Sequence, residues 1–203
     1  MIHECVIDSA LNRLSAHFDK RVVVRPPASA ADLAQLEAVV GPLPRDLTIY
    51  LSTCNGLRVH LDTVPHDQHL CCIHEIERMV RSMSSPAAFA GLIPIRGVPE
   101  DASDWLVVQR GPAYGRVIRW SPWSSGAVLL ASALGTYLSS WVDYMIAQFD
   151  HHGRPRVDRA SPDFDTDFIA RRDDSLRELL KDESLRAWLQ ELDLVVPSGA
   201  DFE

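Results

Sequence analysis

Residues 39–56 read V-V-G-P-L-P-R-D-L-T-I-Y-L-S-T-C-N-G. Gly41 can take the left-handed conformation that closes a helix, and Pro42 cannot continue one. Pro44 suits a first helical turn, where its missing N–H would go unpaired anyway. Leu43, Leu47, Tyr50 and Leu51 recur at helical spacing on one face, and Asn55-Gly56 ends the run. The stretch is a helix end, a proline corner, a second helix and a glycine stop. It carries structure and no chemistry of its own.

On its N-terminal side, residues 4–18 form an amphipathic pattern through Val6, Ile7, Ala10, Leu11, Leu14 and Phe18. Residues 21–25 (R-V-V-V-R) are a short β-branched run, expected as an edge strand and broken by Pro26-Pro27. Ser29 offers a helix N-cap, with Asp32 at the third helical position, and Leu33, Leu36 and Val40 give that helix its apolar stripe.

On the C-terminal side, residues 57–61 alternate apolar and polar as a half-buried strand does. Residues 62–69 read as a polar loop, 73–80 admit strand or helix, and 82–90 are a small-residue connector. Leu92-Ile-Pro-Ile is extended, with Pro94 indicating an edge. Residues 104–109 (D-W-L-V-V-Q) and 116–120 (R-V-I-R-W) flank R-G-P-A-Y-G, which is hairpin chemistry, and residues 127–130 supply a third strand. Ser132 is placed to cap a long helix in which Leu134, Leu138, Trp141, Met145 and Phe149 step by three and four. Residues 150–165 read as a linker. Residues 175–180 and 184–194 follow as amphipathic helices that should pack back, because Trp188 and its leucines would otherwise leave a large exposed patch.

The expected fold is α+β: a small antiparallel sheet packed with N- and C-terminal helices, plus a C-terminal helical extension. The expected division is a domain over residues 1–150 with the extension over 151–203. At 203 residues the chain needs no metal or disulfide staple, since a chain of this size buries about 70% of its unfolded surface.

The formal charge is -8, and residues 150–203 hold 14 acids against 8 bases. That balance argues against nucleic-acid binding, which wants a basic stripe, and favours a basic protein partner. The N-terminal residues show no basic segment followed by an apolar block, so no signal peptide is expected. Residues 120–142 lack any charge but contain six serines, a proline and two glycines, and read as strand plus helix rather than a membrane span. Cys5, Cys54, Cys71 and Cys72 show no framework spacing, which implies reduced thiols and a cytoplasmic setting.

The order helix, Gly-x-Leu-Pro-x-Asp-Leu and Asn-Gly resembles the N-terminal signature of the SUKH superfamily, which joins fungal regulators of cell-wall synthesis to bacterial toxin-immunity proteins. The later Leu-Ile-Pro-Ile run, the Asp-Trp-Leu-Val-Val strand, a second strand and an Ala-Ser before a final helix extend the likeness over about residues 28–150. Ser103 stands where that family often has glycine, and no acid follows the Val-Val of residues 104–109. The resemblance implies a non-catalytic, cofactor-free binding protein that occludes a cognate toxin. A scaffold or regulatory module of the same fold is the alternative.

For chemistry, His60, His66, His69, Cys71, Cys72 and His74 are dense enough to suggest a metal-dependent enzyme, but they match no recurrent zinc spacing. Arg78 stands where the H-E-x-x-H pattern of zinc proteases needs histidine after His74-Glu75. No G-x-S-x-G elbow or phosphate loop occurs. The reading is therefore no enzyme and no metal. For binding, Trp105, Trp123 and Tyr114 are aromatic anchors of the type enriched in interfaces, and Glu100, Asp101 and Asp104 flank the same sheet. Aromatic anchors ringed by carboxylates suit a basic toxin.

Overall fold

The computed structural model describes residues 2–62, 68–82, 91–96, 103–120, 127–156, 168–169 and 171–195. The elements in order are α1 (Ile2–Phe18), β1 (Val22–Val24), α2 (Ala30–Val40), α3 (Arg45–Thr53), β2 (Leu57–Val59), β3 (Gln68–Leu70), α4 (Ile73–Ser82), β4 (Leu92–Arg96), β5 (Ser103–Val107), β6 (Val117–Trp120), β7 (Val128–Ala131), α5 (Leu134–Gln148), α6 (Asp174–Leu179) and α7 (Glu183–Val195). The fold is α+β, with two antiparallel sheets where the sequence suggested one. The strands run β1-β2-β3 in the first and β4-β5-β6-β7 in the second. At their junction Cys71 N–H donates to Ile95 O across 2.9 Å.

The four-stranded sheet buries both faces. Successive side chains of a strand point to opposite sides, so Ile93, Ile95, Leu106, Val108 and Val117 enter the main core with Ile7, Leu14, Leu47 and Trp141. Leu92, Trp105, Val107, Ile118 and Trp120 point the other way and pack with Leu176 and Leu185 of the C-terminal helices, against which Trp188 and Leu189 also lie. This is why the β5 sequence reads as a continuous apolar run rather than an alternation.

The proline corner forms as its residues dictate. Gly41 closes α2 at φ +87°, and Pro44 sits at the N-cap of α3. Ser29 and Asp32 make a reciprocal capping box at the start of α2. Pro94 lies on β4, an edge strand of its sheet.

Two expectations change and one open reading is decided. Gln68–Leu70 is a strand, not the end of a loop; only Leu70 in it is apolar, so no alternation announced it, and its pairing with β2 fixes it. Ile73–Ser82 is a helix whose buried side is Ile73, Ile76, Glu77 and Met79. Ser132 does not cap α5: Ala133 holds that position, and the Ser132 hydroxyl donates instead to Asp173 at 2.9 Å. Among the described residues no helix is long and apolar enough to cross a membrane.

Candidate functional site

The corner residues each hold a helix end. Asp46, 8% exposed in the first turn of α3, accepts from Gly135 N–H in the first turn of α5 at 3.2 Å. Asn55 Oδ1 accepts from Ile73 N–H at 2.9 Å and so caps α4. Gly56 has φ +90°, and a Cβ there would stand 2.9 Å from the Cys72 nitrogen. Four unpaired N–H groups open every helix, and a side-chain oxygen offered to one of them stabilises that end by about 1 kcal/mol.

Asp104 of β5 is 1% exposed and lies at the centre of a charged cluster. Arg96 Nε donates to its Oδ2 at 2.9 Å, Arg119 Nε to its Oδ1 at 2.8 Å, and the Tyr137 hydroxyl to Oδ2 at 2.6 Å. Arg96 also reaches Gln68 Oε1 at 3.2 Å and so ties β4 to β3. Burial alone would raise the Asp104 carboxyl, but the two guanidiniums outweigh it and hold the group below the ordinary carboxylate range. Burial, backed by the charge of Asp104, pushes the Tyr137 phenol well above its usual value.

These positions revise the expected binding face. Asp104 is consumed by its own arginines and presents no charge to a partner. Trp105 is 0% exposed; its Nε1–H donates to Trp120 O at 3.0 Å, and the two rings meet edge to face at 5.9 Å. Burial therefore removes Trp105 and Asp104 from any surface anchor. Tyr114 stays half-buried in the β5–β6 turn, where its hydroxyl donates to Pro42 O at 3.4 Å, setting that turn against the proline corner. Trp123, Glu100 and Asp101 lie outside the described residues.

Of the histidine and cysteine cluster, the fold gathers His69 and Cys71 with Glu75, their ligand atoms within 4.8 Å of one another. His60 and His74 are exposed and His66 lies outside the described residues. Glu75, the member that spacing did not nominate, is already occupied. Its Oε2 accepts from Cys72 N–H at 2.9 Å at the head of α4, and its Oε1 accepts from Arg25 at 3.0 Å and Arg58 at 3.2 Å. Burial would raise this carboxyl; the Cys72 N–H and the arginines reverse that and lower it. Burial also raises the Cys71 and Cys72 thiols, and lifts Cys54 to about 11, which disfavours the thiolate that a metal or a nucleophile needs. Two guanidiniums beside a protonated thiol make a poor cation site. The signal for Glu75 was its place three residues after Cys72, the third position of a helix cap.

Scanned against models of known protein families, the chain matches none, and none of the curated proteins matches it.

Proposed function

We propose that this chain is a non-catalytic binding protein, an immunity protein of the SUKH kind that neutralises a basic toxin by covering it. The observation that carries the reading is the distribution of charge. The chain holds 28 acids against 20 lysines or arginines, and residues 150–203 alone hold 14 acids against 8 bases. Glu100, Asp101, Asp158, Asp163, Asp165 and Asp167 are among the chain's acids. An acidic chain suits electrostatic capture of a basic protein, with an on-rate that falls as salt rises. Of the buried carboxylates, Asp46, Asp104 and Asp173 are bonded to the chain's own backbone and arginines, and Glu77 to Gln35 and Arg81.

The test is capture of partners from native cells at low and high salt, followed by expression of the captured protein with and without this chain. One stoichiometric basic partner, toxic alone and harmless in company, is the expected result. Several weak partners without toxicity would replace this reading with a scaffold of the same fold.

A further inference from the structure

The three-stranded sheet ends at β1, which has no further strand beside it among the described residues. Arg21 O accepts from His60 N–H at 3.0 Å, and Arg25 N–H donates to Gly56 O at 3.0 Å. With the register Val22↔Val59, Val23↔Arg58 and Val24↔Leu57, the odd-numbered residues of β1 therefore turn their backbone groups toward β2. The even-numbered residues turn theirs outward. Val22 N–H is taken by Asp19 O, which among the described residues leaves Val22 C=O, Val24 N–H and Val24 C=O along the open side. Val23 and Val24 are 48% and 42% exposed.

The charges beside this edge are specific. Arg21, Arg25, Arg58 and Arg154 share only Asp62 and Glu75 as carboxylate partners among the ion pairs of the described residues. The run R-V-V-V-R is a palindrome. Antiparallel pairing of β1 with β1 of a second copy, centred on Val23, would set Arg21 opposite Arg25 at both ends, and like charges directly opposite are destabilising. The arginines that guard the edge against self-pairing are the same groups that would receive a carboxylate.

We propose that β1 is a strand-addition site for an extended acidic segment of another protein. The added strand takes its backbone bonds from Val22 and Val24, rests its apolar side chains beside those two valines, and lays its carboxylates on the opposite face against Arg21, Arg25 and Arg58. This partner has the opposite charge to the toxin proposed above, so the two readings stand or fall separately.

The test uses the full chain, isotopically labelled, and an acetylated peptide of alternating glutamate and valine. Expected are amide shifts at Val22, Val23 and Val24 and binding that weakens with salt. The same peptide N-methylated along its pairing edge should bind about tenfold more weakly or worse. A lysine–valine peptide should not bind. Equal binding of the N-methylated or the lysine peptide would overturn the proposal, as would shifts that bypass β1 altogether. So would a concentration-dependent dimer whose contacts map to β1, which would make a second copy the occupant.

Discussion

Asp173 and Ser132 are joined by two hydrogen bonds: the Ser132 N–H donates to Oδ2 at 2.6 Å and its hydroxyl to Oδ1 at 2.9 Å. Asp173 is 3% exposed and immediately precedes α6, so one carboxylate ties the C-terminal helices to the end of β7. Around it, Leu176 and Leu185 close over Trp105 and Trp120. Asp173→Ala leaves a buried N–H and hydroxyl without a partner, at a cost of about 1–3 kcal/mol. Ser132→Ala removes one bond together with its donor and should cost less. Urea unfolding of both variants checks the order, and hydrogen exchange should show α6 and α7 opening first in Asp173→Ala. Uniform loss of protection across the chain would contradict a local tie.

Asp46 reaches Gly135 across the interior from the start of α3 to the start of α5. Asp46→Ala strips the latter helix of that acceptor and is expected to lower stability by about 0.5–2 kcal/mol. Asp46→Asn keeps an acceptor oxygen and should recover part of the loss, most of it if geometry rather than charge matters at this end. Thermal melts of the two variants separate these contributions.

The corner was legible because its signals are local. Gly41, Pro44, Ser29 and Asp32 act on residues within one helical turn, and the structure uses each near its sequence position. The far partners of Asp46 and Asp173 lie 89 and 41 residues away, and no spacing rule reports such distances. Asp104 shows the same limit in the site. As sequence it is an acid beside a tryptophan at a strand start. Only the register that sets it opposite Arg119, with Arg96 on the next strand, turns it into a buried ion-pair centre. Glu75 stands outside the histidine and cysteine spacing that suggests a metal, although its role follows from helix capping.

Gly56 offers a test of the Asn-Gly pair. Alanine there would need a positive φ and would bring its Cβ against Cys72 backbone and side chain at 2.9 Å, neither of which is a flexible tip. At Gly41 φ is also positive, at +87°, but nothing lies within 4 Å of an added Cβ. Gly56→Ala should therefore destabilise more than Gly41→Ala, whose cost is backbone strain of about 1–3 kcal/mol. Asn55→Ala should cost about 1 kcal/mol by uncapping α4. Equal midpoints for the two glycine variants in denaturant would refute the close approach to Cys72.

The engagement of Glu75 by Arg25 and Arg58 makes a prediction about metals. Chelator treatment should leave the melting temperature unchanged, and added zinc should not raise it, since the cation would have to displace two guanidiniums and a helix cap. Glu75→Gln should lower stability by weakening those contacts, with or without zinc. A zinc-dependent rise in melting temperature that disappears in Cys71→Ser would reverse this account of the cluster.

Asp104 contributes to the response to acid. Its folded carboxyl lies below the unfolded value of about 3.9, so its contribution is complete above that pH and is lost as pH falls through the lower folded value. The native protein should accordingly hold its stability through mildly acidic pH and lose it steeply below about pH 4. Asp104→Asn removes the charge between Arg96 and Arg119, whose side chains are 12% and 23% exposed, and leaves two guanidiniums facing each other with little water. Breaking a buried pair by deleting one partner costs about 3–5 kcal/mol, reduced here by the partial exposure of Arg119. The variant should be less stable at neutral pH and should show a shallower loss between pH 4 and pH 2, because the titrating group is gone. Chemical denaturation of both proteins across that range measures the two slopes. Parallel slopes would mean that other carboxylates govern the acid transition and that Asp104 holds the sheet without controlling its pH dependence.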